Sequence, residues 1–575
     1  MVKLSRYLKP FTLIIILAIG SLFVQAICEL ELPKLMAKIV NIGIQQNRND
    51  YIVDMGLIMI AIALIGAVAA VLVSLFSSRI AAGFGRDLRR CVFARIQGFS
   101  NAEFDQFSAA GLITRCTNDI GQIQMMLQMG IRFLCYAPIM GIGGIIMAVL
   151  HSVSLSWIIV LAVIILSGMV AVVASMVTPR FTLIQNLTDK LNLVSREGLS
   201  GMMVVRAFNA QEHEKQRFDG VNKELADANR FVNRVLNTMW PCMTLIMSGV
   251  SVLIVWFGAK QIAGLSMQAG DIIAYIQYAL LVIFAFMMIS IMFVWIPRAV
   301  VSGRRIVEVL ETEYVVTDPA SPKSFDGTKK AALEFRNVKF RYAGVKENAL
   351  RDVSLTVLPG RTTAIIGPTG SGKSTLVNLI LRFYDASEGQ VLVDGLDVRE
   401  VSQHELRARI GYVPQKAELL SGTVWSNLRY GSPGAASGEL EAAAAAAQAM
   451  EFIAEMPEKF DAPVAQGGSN VSGGQKQRLS IARALVKRPE IYIFDDSFSA
   501  LDFKTDLLLR RALKEYTRES AVIIVSQRVS AIMNADEIIV LENGAVAGRG
   551  VHSSLMQDCP QYAEIVSSQL PKESS

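Results

Sequence analysis

The sequence predicts two joined architectures: an α-helical polytopic membrane region of six spans, followed by a separate α/β domain. Three observations carry this reading. First, 52% of the 575 residues are hydrophobic and the mean hydropathy is +0.40, with the apolar excess placed before residue 300. Second, from Leu333 onward strand-like runs alternate with helix-like ones. Third, Gly367-Pro-Thr-Gly-Ser-Gly-Lys373-Ser374-Thr375 lies between the apolar run Thr363–Ile366 and the helix-like Leu376–Leu381. A strand, a glycine-rich loop and a helix start form the context that a phosphate-binding P-loop needs, so the second part is of the P-loop NTPase kind.

A membrane span needs about 20 predominantly apolar residues. Six stretches qualify, roughly 11–42, 52–78, 128–150, 154–178, 236–263 and 271–297. The first is interrupted by Glu29, Glu31, Lys34 and Lys38. It follows the basic residues Lys3, Arg6 and Lys9 and runs past signal-peptide length without a small-residue cleavage site, so it is expected to be an uncleaved membrane helix. The second continues without a breaker through Arg79–Arg90. Helical to about residue 97, it would be about 70 Å long against a bilayer core of about 30 Å, so much of it stands in water. The segment 79–115 carries Arg79, Arg86, Arg89, Arg90, Arg95 and Arg115, whereas the connection near 44–51 carries only Arg48. The positive-inside tendency places the arginine-rich loop in the cytoplasm, together with the N-terminus and, by alternation, the polar stretch 180–235. The connections near 151–153 and 264–270 are too short to hold an external domain.

Ionisable residues inside spans are costly and mark candidate functional positions. Glu29 and Glu31 lie about 200° apart on a helix, so they cannot share one cavity. Glu31 can pair with Lys34 at i+3. Glu29 has no such neighbour in sequence and is expected to face a cavity and favour cationic substrates. Methionines recur in the last two spans (Met239, Met243, Met247, Met287, Met288, Met292), fitting either ordinary helix packing or an adaptable apolar surface. The net charge of +6 reads as membrane topology, not nucleic-acid binding. Six scattered cysteines give no disulfide framework and no zinc site.

Pro297 is expected to end the last span, Ser302–Leu310 to form an amphipathic helix and Thr317–Lys323 to be linker. Domain limits are accordingly 1–310 for the membrane region, 311–332 for the linker and 333–575 for the nucleotide-binding domain. The run Ala442–Ala447 reads as plain helix. In the P-loop, Gly367, Gly370 and Gly372 let backbone amides converge on a polyanion, with Thr369, Ser371 and Thr375 completing the cradle. Lys373 adds a full charge and Ser374 can hold Mg²⁺. The buried-strand pattern Ile491–Asp495 ends in two carboxylates, Asp495 and Asp496, where Mg²⁺ coordination and positioning of an attacking water are expected. Upstream, Ser472-Gly473-Gly474-Gln475 opens a helix that Ser472 can cap, with glycine amides free to approach a γ-phosphate.

A P-loop, this turn and an aspartate 21 residues after Gly474 make the sequence resemble the ATP-binding cassette (ABC) transporters. The likeness is specifically to exporter half-transporters, with six spans fused ahead of one nucleotide-binding domain of ABC type, and it covers nearly the whole chain. The resemblance implies that Tyr342 stacks on adenine. It also implies that Gln415 in Tyr412-Val-Pro-Gln415 senses Mg²⁺ and contacts the membrane region, and that Asp502 in Ser499-Ala-Leu-Asp502 is the D-loop aspartate. Phe104–Phe107 through Thr114–Asp119 and Val205–Glu212 look like the two coupling segments. Two chains would hold two ATP molecules, each between the P-loop of one chain and the Ser472–Gln475 turn of the other.

Two positions depart from the family pattern. Asp496 stands where the family has a glutamate general base, and Gln527 where it has a switch histidine. Aspartate retracts its carboxylate by more than about 1 Å, and a misplacement of that size can cost on the order of 10²-fold in rate. Gln527 can hydrogen-bond a phosphate but cannot become cationic. The expectation is retained Mg-ATP binding with slow hydrolysis at this chain's own site, as in the degenerate-site subunit of bacterial heterodimeric multidrug ABC exporters. A partner half-transporter would supply the glutamate and histidine, while this chain lends Ser472–Gln475 to the partner's competent site. A homodimer in which Asp496 works through a repositioned water is the alternative. The expected function is ATP-driven export of hydrophobic or amphipathic compounds of multidrug type. The alternatives are a lipid, lipopeptide or peptide exporter (no peptidase domain precedes the first span) and an ATP-gated channel or regulatory subunit. The setting is the cell membrane, with cytoplasmic N-terminus and nucleotide-binding domain. The partners are a second half-transporter, small amphipathic substrates and the lipid bilayer, with no nucleic acid.

Overall fold

Six long helical stretches are apolar enough to cross a bilayer among the described residues, which in this computed structural model are 2–264, 267–326 and 332–569. They run over Lys3–Ile44, Asn49–Gln97, Ala109–His151, Val153–Ser200, Gln211–Ala263 and from Ala269 onward. Within them lie α1 (Thr12–Lys38) and α2 (Asn49–Gln97), then, after the short α3 (Asn101–Phe107), α4 (Ser156–Ser200), α5 (Gln211–Ala263) and α6 (Ala269–Glu311). At 1.5 Å per residue the 49 residues of α2 span about 74 Å. Val53, Leu57, Ile60, Leu64, Val68 and Val71 recur along α2 every three or four residues and are each 58–64% exposed. So wide an apolar stripe in water would be unstable; in lipid it is the solvated face. The opposite face buries Gly66, Ala69, Val73 and Ser77, the small residues that let membrane helices approach closely. A Cβ on Gly66 would stand 3.2 Å from the Cβ of Cys28 on α1.

Proline is the point of correction. α6 continues through residue 297 to Glu311, so Ser302–Leu310 is its last turns and not a separate helix. Pro33, Pro179 and Pro241 likewise lie inside α1, α4 and α5. One proline removes one backbone hydrogen bond, which a long helix held by neighbours and by apolar solvent on its flanks survives. At the opposite end of α6, the Asn41 amide donates to Asp271 Oδ1 (3.0 Å) and the Gly270 N–H donates to Asn41 Oδ1 (2.7 Å).

The chain divides into two compact units, Met1–Gln97 with Ala110–Thr312, and Gly98–Ala109 with Glu313–Ser575. The second therefore takes in α3 from between the spans. Inside it, Phe99 stacks on Phe107 and meets Tyr314 edge-on, and the Val315 N–H donates to the buried Glu103 (2.6 Å). Part of the expected linker, 327–331, lies outside the described residues.

The second unit holds twelve strands among the described residues, β1–β12 in chain order. β1 (Leu333–Phe340), β2 (Leu350–Val357), β4 (Glu388–Val393) and β5 (Leu396–Asp397) form an antiparallel sheet in the order β2-β1-β4-β5. The larger sheet has the order β12-β11-β3-β10-β9-β6. Its strands are β3 (Thr362–Ile366), β6 (Ile410–Val413), β9 (Ile491–Asp495), β10 (Ala521–Val525), β11 (Glu537–Glu542) and β12 (Ala545–Gly550). β7 (Gly422–Thr423) and β8 (Pro463–Val464) pair separately. From β11 to β6 the large sheet is parallel, and β9 is buried along its whole length, as a strand covered on both faces must be.

Candidate functional site

In an open parallel sheet, ligands bind beyond the carboxyl ends of the strands. Here β3, β10 and β9 lie side by side, so the P-loop, the loop after Val525 and the Asp495–Asp496 pair leave the sheet at one edge. Two backbone bonds lock them together: the Ser526 N–H donates to Ile365 O (3.1 Å) and the Asp496 N–H to Val525 O (2.8 Å).

The P-loop conformation excludes other residues at several points. Gly370 and Gly372 have φ of 83° and 101°, where a side chain is strained. A Cβ on Gly367 would lie 2.1 Å from Leu541 O, so only glycine lets this loop pack on β11. Lys373, the first residue of helix Lys373–Ile380, is buried and turns its Nζ back to the carbonyls of Gly367 (2.7 Å) and Pro368 (2.8 Å). Burial lowers its pKa against the opposing pull of Asp495 and Asp496. Ser371 and Thr375 are buried in the cradle, while Thr369 and Ser374 are exposed at its mouth.

The two carboxylates differ. Asp495 ends β9 and is buried, which together with Asp496 beside it pushes its pKa up to about 6, while Lys373 draws it down. Asp496 adopts φ of 44°, an unusual backbone for a non-glycine residue, which turns the chain off the strand. Burial raises its pKa too; Gln415, Arg528, the Gln527 backbone and Lys373 each hold it down. Gln415 Nε2 lies 3.4 Å from Asp496 Oδ2, the outer limit of a hydrogen bond. No group of three or more acidic, His or Cys side chains forms a metal cage among the described residues. That donor set suits Mg²⁺ held by Asp495, the Ser374 hydroxyl and Gln415, because Mg²⁺ in nucleotide sites takes few protein ligands and fills its shell with phosphate oxygens and water. Bound there, it would neutralise charge on the terminal phosphates.

Ser472 caps the helix Gly473–Val486 reciprocally with Gln475: the Gln475 N–H donates to Ser472 Oγ (3.3 Å) and the Ser472 N–H to Gln475 Oε1 (2.9 Å). This leaves the glycine amides at an open helix N-terminus. The turn abuts the loop Ser499–Asp502, since a Cβ on Gly474 would stand 3.3 Å from Ala500 O. Asp502 caps the helix Phe503–Tyr516, accepting from the Thr505 N–H (2.9 Å). Tyr342 packs edge-on against Phe340 and Tyr384, its hydroxyl 3.0 Å from Thr375 Oγ1. Gln527 is exposed, and its carbonyl accepts from Gln569 (2.7 Å).

Sequence reasoning missed two groups. Arg528 belongs to no motif of its own, yet its charge holds the Asp496 carboxyl down. Tyr384 donates to Asp105 Oδ2 of α3 (2.7 Å), and burial with that carboxylate raises its pKa. Asp105 and Tyr384 lie 279 residues apart, and no local pattern links them. One premise about Glu29 needs correction: it has a partner one turn back in sequence. Gln25 Nε2 donates to it (2.9 Å), and so does the Tyr136 hydroxyl from the third span, which packing brings beside α1. Glu31 pairs with Lys34 at 3.0 Å.

A phosphate cradle, a paired carboxylate edge and a capped glycine turn, joined in one chain to six long apolar helices, define an ABC-type ATPase fused to its membrane region. Family comparison agrees: residues 15–286 match the ABC transporter transmembrane region and residues 350–499 the ABC transporter ATPase. The chain belongs to the ABC transporter family as an exporter half-transporter, an ATP-driven, multi-pass membrane protein. It is 40% identical over 569 residues to an uncharacterized ABC transporter ATP-binding protein of Mycobacterium tuberculosis, covering 98% of this chain and 97% of the relative. A fatty acid ABC transporter ATP-binding/permease protein of Mycobacterium bovis is 33% identical over 469 residues, 82% of this chain and 74% of that one. The solved structure of a bacterial Atm1-family ABC exporter with ATP bound matches with a TM-score of 0.80 at 26% identity, covering 100% of this chain and 99% of the other.

Proposed function

We propose that this chain is the slow-hydrolysing half of a heterodimeric exporter of hydrophobic or amphipathic compounds, seated in the cell membrane with its nucleotide-binding domain in the cytoplasm. The observation that carries the reading is the pair Asp496 and Gln527 beside an otherwise complete phosphate cradle. ATP and Mg²⁺ are held by Tyr342, the P-loop, Asp495 and Gln415. Ser472–Gln475 serve the partner's nucleotide, and the partner supplies the missing glutamate and histidine. Two features support an amphipathic cargo. An open groove of about 300 Å³ between α4 and α5 is lined mostly by apolar side chains, among them Met169, Val173, Met176 and Met239, together with Arg234 and Thr238. The fatty acid transporter among the relatives also handles an amphipathic molecule, so a lipid-type cargo stands beside the multidrug one.

The test is the steady-state ATPase of the purified full chain alone and co-assembled with a candidate partner half-transporter. The expected turnover alone is about 100-fold below that of the pair. Robust turnover by the chain alone would leave the homodimer as the answer. Efflux of several dye classes and of fatty acids from vesicles then separates the two cargo readings.

A further inference from the structure

The N-terminal segment Val2–Phe11 is a 3₁₀ helix, which has three residues per turn, so Lys3, Arg6 and Lys9 stack in one row. The segment is pinned at both ends. Lys3 Nζ donates to Glu311 of α6 (2.8 Å), and the Phe11 ring sits on Gly83 of α2, where a Cβ would stand 2.5 Å from it. Arg79 and Arg86 lie one turn from Gly83 on either side, within about 60° of it around the helix. The segment therefore carries Arg6 and Lys9 to the corner of the membrane region that holds Arg79 and Arg86, and all four side chains are exposed. The corner is short of acid. Among the described residues Arg6, Lys9 and Arg79 form no ion pair, and Arg86 pairs with its own neighbour Asp87 (2.8 Å). The Arg6 guanidinium lies 4.9 Å from the centre of the Tyr7 ring and donates to the Tyr7 hydroxyl (2.9 Å). Its depth is also set. No ionisable residue occurs between Asp54 and Arg79, a helical length of about 37 Å against a hydrocarbon core of about 30 Å. Arg79 is thus the first charge beyond the apolar stripe of α2. Arg86 is about 10 Å further along, where a long side chain can still snorkel to the headgroups.

We propose that this corner binds the headgroup of an anionic glycerophospholipid, its phosphodiester held between Arg79 and Arg86 on one side and Arg6 and Lys9 on the other. Guanidinium groups fork onto phosphate oxygens, and Tyr7 is the residue type that settles at headgroup level. Two observations choose the occupant. The surplus of unpaired cations favours a net negative headgroup over a zwitterionic one, whose ammonium it repels. Next to the cations, toward the hydrocarbon, Leu13 and Ile16 of α1 and Val71 and Leu75 of α2 are exposed and apolar, a floor for acyl chains that a soluble anion cannot use. A lipid seated there bridges the N-terminal segment and α2, which meet otherwise through the Phe11 ring on Gly83. On the orientation proposed above, the site belongs to the cytoplasmic leaflet. The contact itself depends neither on that orientation nor on the cargo or the rate of hydrolysis.

The experiment titrates tail-labelled fluorescent phosphatidylglycerol into the purified full-length chain in a non-ionic detergent, beside phosphatidylcholine with the same chains. The parent should bind phosphatidylglycerol about tenfold or more tightly than phosphatidylcholine. Each arginine at an anionic lipid contributes about fivefold, so Arg79→Gln with Arg86→Gln should weaken phosphatidylglycerol about 25-fold and leave phosphatidylcholine unchanged. Arg6→Gln with Lys9→Gln, which touches no residue of α2, should weaken it by a similar factor. Arg48→Gln, between the first two spans, should have no effect and so separates a site from a change in net charge. These side chains are exposed, and the lipid-free variants should keep the parental melting temperature. Equal binding of the two lipids by the parent, or undiminished phosphatidylglycerol affinity in either double variant, overturns the site. Inorganic phosphate or glycerol 3-phosphate in large excess should not displace the lipid; displacement would make this a site for free anions and overturn the lipid assignment. Because the assay uses neither a leaflet nor ATP, failure of the proposed orientation or of the heterodimer reading leaves its outcome unchanged.

Discussion

The phosphate cradle and the hydrolytic corner sit at one sheet edge and are built by different means. The cradle is fixed by excluded volume: a Cβ on Gly367 would meet Leu541 O, and Gly370 and Gly372 occupy backbone space closed to other residues. The corner is fixed by hydrogen bonds to exposed or half-exposed groups: Gln415 at 3.4 Å from Asp496, and Gln527 tied through its carbonyl to Gln569. Steric constraints fail all at once, whereas polar ones can be retuned one residue at a time. A substitution at Asp496 or Gln527 is therefore expected to disturb the grip on nucleotide less than one at Gly367, Gly370 or Gly372.

The largest effect should come from attacking the cradle. Lys373→Ala removes a buried charge with several hydrogen bonds, and should weaken Mg-ATP binding by about 30- to 1,000-fold in a fluorescent-nucleotide titration. Binding within a few-fold of the parent would mean that the glycine amides alone hold the phosphates. Next comes repair of the corner. The double substitution Asp496→Glu with Gln527→His should raise single-turnover hydrolysis by about 10- to 100-fold while leaving nucleotide affinity near the parental value. If affinity moved and the rate did not, the division of labour drawn here would be wrong.

A smaller effect tests the edge between the two. The folded-state pKa of Asp495 is about 6, above the ordinary 3.8. Its proton therefore contributes stability that is fully present below about pH 3.8 and lost as the pH rises through about 6, on the order of 2–3 kcal/mol at most. Without nucleotide or Mg²⁺, Asp495→Asn should melt a few degrees above the parent at pH 7.5, with the gap closing toward pH 4. A gap independent of pH would assign the effect to packing and not to charge.

What the sequence made legible follows the range of each signal. Six spans could be read because apolar length is local, and the P-loop because its glycines answer to clashes within a few residues. Residue 297 misled because a proline signal is local while the continuity of α6 is set by its surroundings. The coarse site was visible as motifs at strand ends. Its fastening was not: Tyr136 to Glu29, Tyr384 to Asp105 and Gln569 to Gln527 join residues 107, 279 and 42 apart through single polar contacts. Such pairs leave no periodicity, and only the folded chain brings them together. Glu29 shows both ranges: Gln25 sits one turn back on the same helix, while only the folded chain brings Tyr136 to it.

The length of α2 has a mechanical consequence. Forty-nine residues in one unbroken helix form a stiff lever, and α3 follows it after only three residues. A rotation of about 10° about one end of a 74 Å rod carries the other end through about 13 Å. Because α3 belongs to the second compact unit, only residues 98–100 of chain separate the end of this rod from a helix of that unit.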